Sequence, residues 1–505
     1  MRRAHVVCAC LGALALSASA GCNLLLGADH WYVSDGSGGS GGSTTTSSTI
    51  DPGCIASSLS EPAADSCGLF VSSSKGSDTN PGTKDAPLKS IAKALGSATG
   101  KPIYLCGEAF DEAVEVKAGA LVYGGLDCAA GWTYAKDKRT LIAPSAAVVA
   151  LRVTSKATLV MDDVDVTSPT ATTPGSSSVA VFLENDAELE LTRSAVTAGD
   201  GAPGKDGEKY LDLGTSGADG QPGADACTAA NVNGGSSTPN ACDAETSVGG
   251  KGGSSDEFSG GAGSPGLPDG SMNAGAGEGG SACTAGTAGD PGASGASGAG
   301  ASGTGTLTSA GFAGVSGVDG KPGKVGQGGG GGGGAKGGSM GNACNKVMNA
   351  GGNGGASGAS GGAGGCGGAG GRGGGGGGAS IGVVALGATL QFESVTITSG
   401  NGGRGGNGGA GQAGGSGGMG AAGGSVPPAA TDLKPGCASG AGGKGGDGGL
   451  GGGGLGGPSI GVAYVGGAPE TTGATITVGT PGDGGAGDGD TGTGAKGALA
   501  ETQAF

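Results

Sequence analysis

Aromatic residues make up only 3% of the 505-residue chain and charged residues 13%, while glycine alone contributes 130 positions. So little bulky apolar material excludes a conventional globular core over most of the length. Histidine occurs twice, at His5 and His30, and no two cysteines stand at Cys-x-x-Cys spacing. The usual zinc frameworks are therefore excluded, and no metal ligands or cofactor-binding residues are assigned. No Gly-Lys-Ser or Gly-Lys-Thr step occurs, which excludes a phosphate-cradling loop of the common type. A net charge of −16 argues against nucleic acid or anionic lipid head groups as partners, because both need a positive surface. Weak Ca²⁺ binding is the one cofactor expectation that this acidic balance keeps open.

The first apolar run, Val6 to Ala18, follows Arg2 and Arg3 and is too short to span a bilayer. It reads as a secretory signal, residues 1–22, ending at Ser19-Ala20-Gly21-Cys22. Small residues before a cysteine resemble the lipobox of bacterial lipoproteins, although Ser19 stands where that pattern usually has Leu. The resemblance implies lipidation at Cys22, and Asn23 after it implies sorting to the outer membrane or cell surface. Residues 23–53, almost purely Ser, Gly and Thr from Ser34 to Thr49, read as a flexible tether.

Of 13 cysteines, Cys8 and Cys10 fall in the signal and Cys22 is the candidate lipid site, leaving ten. An even number in an exported chain favours disulfides. Proximity in sequence suggests Cys54 with Cys67 and Cys106 with Cys128. Connectivity among the other six, which lie in the glycine-rich tracts, cannot be deduced.

Residues 54–198 read as all-β with a short capping helix. Gly76-Ser77-Asp78, Asn80-Pro81-Gly82-Thr83, Pro87, Ser90, Ile91 and Ala94 resemble the opening of pectate-lyase-like right-handed parallel β-helix proteins. Independently, Leu88, Ile91 and Leu95 share one face of a short helix that Pro87 would start. The internal repeat is the stronger signal: Val149, Leu151, Val153, Leu159, Met161, Val164 and Val166 recur 30 residues on, from Val179 to Val196. The frame returns from Ile381 to Ile397 and, 79 residues later, from Ile460 to Ile476. Alternating apolar residues in repeats of this size predict a solenoid whose units bury inward-facing Val, Ile and Leu against their neighbours. Coils are expected at 379–400 and 458–480, with a glycine-rich tail at 481–505.

Two glycine-rich insertions, 199–378 and 401–457, leave after Thr197-Ala198 and Thr398-Ser399 and return at Ser380 and Ser459. Glycine at every third residue, as in Gly289, Gly292, Gly295 and Gly298, is the polyproline II period. Disordered linker and partly ordered bundle of extended chains both fit it. The tracts resemble mycobacterial Gly-Gly-X (PGRS-like) repeats, and the glycine-rich bundles of some antifreeze proteins.

For chemistry, the carboxylates Asp162, Asp163 and Asp165 are the first candidates, because pectate-lyase-like folds often carry Ca²⁺-dependent lyases or paired-carboxylate hydrolases. Alternation with Val164 and Val166 points Asp163 and Asp165 to solvent, and Arg152 is the nearest arginine by strand order. Gly442 to Asp447 resembles the start of an RTX Ca²⁺ nonapeptide, but Gly449 interrupts it. No catalytic residue is assigned. The expectation is a non-catalytic, lipid-anchored surface protein of structural or adhesive role, contacting surface or matrix polysaccharide or protein. The alternative is a polysaccharide lyase or hydrolase on the β-helix.

Overall fold

The computed structural model describes residues 54–58, 61–243, 245–268, 271–338 and 343–505. The expected signal, Cys22 and the tether lie outside them. Three parallel sheets of six strands dominate, with few helices. From residue 149 the chain visits them in a fixed order. Val149–Val153, Thr158–Asp162 and Val164–Ser168 each open one sheet's share of a turn, and Ser178–Leu183, Glu188–Thr192 and Ala195–Ala198 stack on them in parallel.

The repeat fixes the register. Val181 pairs with Leu151 below and Val383 above, and Val383 with Val462, so the 30- and 79-residue offsets are the strand pairings themselves. Leu159, Leu189 and Leu390 form a second column, and Val166, Val196, Ile397 and Ile476 a third. These columns meet in one continuous apolar core. The first residue of each repeat departs from expectation. Val179, Ile381 and Ile460 join a separate cluster with Phe182, because Leu307 and Phe312 pack there from the hairpin formed by Thr306–Thr308 and Gly311–Ala313. Both faces of Ser178–Leu183 and Ser380–Leu386 are thereby buried, which dilutes the alternation seen in sequence.

Sharp corners need left-handed backbone. Asp163, Arg193, Ser394 and Gly473 occupy the same corner in successive turns, each with φ between 48° and 85°. The helix is Ile91–Leu95, capped by the Ser90 hydroxyl accepting from Lys93 N and not begun at Pro87. Glu112 caps it further by accepting from Ile91 N and Ala92 N at 2.6 and 3.2 Å. Buried Leu88, Ile91 and Ala94 close the first turn, covering strand edges that would otherwise invite pairing.

The glycine-rich tracts are laced by backbone hydrogen bonds at three-residue intervals. Gly201, Gly204 and Gly207 N donate to Asn401, Arg404 and Asn407 O, a parallel pair at 2.8 Å. Gly317, Gly320 and Gly323 N donate to Gly374, Gly371 and Gly368 O, an antiparallel pair at 2.8 Å. Glycine is required because the chains touch backbone to backbone. The number of consecutive glycines tracks how many sides are enclosed: across Gly328–Gly334, a Cβ on successive residues would collide with Val248, Gly440, Asn273, Lys251, Cys437, Ala276 and Ser254 carbonyls in turn. On the outer run 289–298 only every third residue is glycine-tight, and the intervening side chains are exposed. Three disulfides, Cys227–Cys344, Cys242–Cys366 and Cys283–Cys437, cross-link these chains. The expected glycine-rich tail ends otherwise: Leu499–Ala504 forms a sixth strand on Ser459–Val465.

Candidate functional site

The three sequence-selected aspartates meet at one corner, and alternation misplaced one of them. Asp163 does not face solvent. It is the corner residue itself, φ 59°, and it is 2% exposed. The left-handed turn swings its carboxylate back over the neighbouring turns, where Tyr134 Oη donates to Oδ2 at 2.8 Å and Arg139 Nη1 to Oδ1 at 3.0 Å. Arg193, one repeat above, donates to the same Oδ2 from Nε and Nη2 at 3.1 and 2.9 Å.

The neighbouring carboxylates are equally engaged. Arg193 pairs with Asp162 Oδ1, and the Ser57 hydroxyl donates to its Oδ2 at 3.0 Å. Arg139 forks onto Asp165 through Nε and Nη2 at 3.0 and 2.5 Å, and Ala195 N donates to Asp165 Oδ1 at 2.8 Å. All six carboxylate oxygens therefore accept hydrogen bonds. Burial pushes Asp162 above the ordinary carboxylate range, more than the Arg193 charge pulls it down. Burial, then the bond to Asp163, likewise raises Tyr134. The bond to Asp165 raises Arg139 against partial desolvation.

Such an arrangement staples successive turns more readily than it attacks a substrate. Each carboxylate that could act as base, nucleophile or cation ligand is already satisfied by a guanidinium, a hydroxyl or a backbone N–H. Arg152, the arginine favoured by strand order, instead lies over the Phe182 ring at 4.1 Å and pairs with Glu184 at 3.1 Å. Arg139, Arg193 and Tyr134 were missed from sequence. For Arg193 the signal existed, since it stands 30 residues after Asp163, one full repeat on.

The RTX-like run is part of the glycine lattice. Asp447 accepts from Lys444 Nζ at 2.6 Å and Gly414 N at 2.9 Å, bonds that hold its carboxyl below the usual range. Cys54 is bonded to Cys67, and Cys106 to Cys128. The first bridge anchors a segment whose Cys54 carbonyl accepts from Tyr104 Oη at 2.6 Å. Among the described residues no group of three or more His, Cys, Asp or Glu is placed to hold a metal ion.

Arg193→Met should lower unfolding stability by about 1–2 kcal/mol, as Asp163 keeps Arg139 and Tyr134 while Asp162 loses its cation. The effect is held to that size because the Arg193 side chain is 37% exposed. Denaturant midpoints of parent and variant give the difference, and an unchanged midpoint removes the staple role.

No protein-family model matches the chain, and comparison with curated proteins and with solved structures finds no match.

Proposed function

We propose that the chain is an exported, lipid-anchored surface protein of structural or adhesive role, in which the three sheets wind as a right-handed parallel β-helix. The helix serves as a stalk, and the glycine lattice offers a broad, rigid contact surface to surface or matrix polysaccharide or protein. One observation carries the reading: the glycine tracts, over a third of the chain, are built into a hydrogen-bonded lattice cross-linked by three disulfides. Ordering that much glycine opposes a large conformational entropy, a cost that a mere linker does not incur.

The lyase or hydrolase reading draws support from Arg139 and Arg193 beside three aspartates gathered at one corner, the residue types such chemistry uses. Their mutual neutralisation weighs against it. A screen of the full chain against pectins, alginates and neutral glycans, with and without Ca²⁺, separates the two. Binding without chain cleavage, unchanged in Asp163→Asn, is the expected result. Cleavage that disappears in Asp163→Asn or Asp165→Asn establishes the enzyme and overturns the structural reading.

A further inference from the structure

One lattice position is vacant, and the geometry points to a docking groove there for an extended, glycine-rich chain of a partner protein. The groove arises from a mismatch in count. Gly207 N donates to Asn407 O and Gly214 N to Ala413 O, so seven residues on one chain span what six span on its neighbour. The surplus pushes Tyr210 to Leu213 outward, leaving Leu211 98% and Leu213 67% exposed. Behind this detour opens a cleft of about 450 Å³ between residues 212–215 and 322–325.

Its floor is the central chain of the lattice. Along one row of that chain, Gly358 and Gly361 N donate to Gly253 and Gly250 O at 2.9 and 2.8 Å, and Gly364 N to Ser247 Oγ at 2.8 Å. The carbonyls of the same three residues accept from Gly235 N, Thr238 Oγ1 and Asn240 Nδ2. There the covering chain ends in the antiparallel pair of Pro239–Ala241 with Thr246–Val248, pinned by Cys242–Cys366. The next two residues in the row, Gly367 and Gly370, have neither N–H nor C=O engaged by any described residue. Beyond them Asp319 closes the row, accepting from Gly373 N at 2.8 Å. The cleft opens onto this row at Cys366, Gly367 and Ala369, where an added chain would rise ~3.1 Å per residue alongside it.

The chemistry of the occupant follows from the chain that fills the same row higher up. There Gly249 and Gly252 face the floor, three residues apart, and a Cβ on either would fall closer than 3.0 Å to the Gly361 or Gly358 carbonyl. A chain continuing that line needs glycine at every third residue. Its backbone would accept from Gly367 and Gly370 N–H and donate to their carbonyls, an addition of one chain to an open lattice comparable to strand addition at a sheet edge. Leu213 and Val325 supply apolar walls, and Lys324, paired with Glu245 at 2.6 Å, stands at the rim. The groove is separate from the acid–arginine corner and does not depend on the surface role proposed above.

Titration of the ¹⁵N-labelled full chain with synthetic (Gly-Gly-Ser)4 tests the assignment, with (Ala-Ala-Ser)4 as the control. Saturable binding of the glycine peptide alone, with amide shifts centred on Gly367 and Gly370, is expected. Deleting Leu211, which restores the six-residue count, should weaken binding about tenfold, the worth of one or two hydrogen bonds. Leu213→Ser, at an exposed side chain, should weaken it severalfold and keeps the test decisive if the deletion variant does not fold. No binding, equal binding of both peptides, shifts centred elsewhere, or tight binding to a glycan from the screen at these same amides overturns the assignment.

Discussion

Gly331→Ala is expected to destabilise the protein by about 2–3 kcal/mol although it adds a single methyl group, the range in which overpacking of a close-packed interior falls. The added Cβ would sit closer than 3.0 Å to the Lys251 carbonyl, and that carbonyl belongs to backbone which cannot rotate away as a side chain would. Gly331 N also donates to Ser264 O at 2.9 Å, so displacing the chain to relieve the clash breaks a ladder bond. Gly280→Ala is the matched control, because nothing lies within 4 Å of its Cβ position and its backbone is not in the left-handed region. There the substitution should be neutral or stabilise by up to about 1 kcal/mol through the unfolded chain. Thermal or denaturant melts of the two variants compare them directly. Equal melts would mean that the glycine chains are not packed backbone to backbone.

Val181→Asp should cost about 4 kcal/mol or more, among the largest effects a point change produces. Val181 is 0% exposed and sits in the interior column between Leu151 and Val383. An aspartate there would be set into the continuous apolar core of buried Val, Leu and Ile. Phe182→Asp is a telling companion, since Phe182 lies in the outer cluster under the hairpin and beside Arg152. It should be destabilising too, but by less, because Arg152 offers a partner. If Val181→Asp melts like the parent, the strand register is displaced by one residue.

The sequence made the stacked strands legible because stacking repeats the same residue types. Leu151, Val181, Val383 and Val462 share one environment, so one physical demand is written four times. Where an environment changes from turn to turn, the signal fades. Leu499–Ala504 pairs as a strand yet has neither β-branched residues at alternate positions nor a buried face to require them. Val179 obeyed the apolar pattern for a different reason from Val181, the hairpin cover, which no local pattern reveals.

At the corner the failure was instructive. Alternation assigns Asp163 to the solvent side of a strand, but Asp163 belongs to no strand: it is a left-handed corner residue, and Tyr134, Arg139 and Arg193 gather over its carboxylate and bury it. Finding Arg139 required the turn stacking itself, because 24 residues separate it from Asp163. The glycine tracts were ambiguous for a thermodynamic reason. Composition fixes the entropy cost of ordering them, whereas the opposing hydrogen bonds join residues as distant as Gly201 and Asn401. Runs of consecutive glycine do carry the missing information, since each enclosed side demands another residue without a Cβ, as in Gly328–Gly334.

Residue-resolved amide hydrogen exchange on the full chain tests the ordered lattice most directly. Every amide from Ser357 to Cys366 donates a hydrogen bond, whereas from Gly292 to Ala299 only Gly292, Gly295 and Gly298 do. Exchange should therefore be slow without interruption across 357–366 and slow at every third residue across 292–298. Uniformly fast exchange in both segments, at the rate of unstructured glycine-rich peptide, contradicts the lattice and with it the contact surface proposed for this protein.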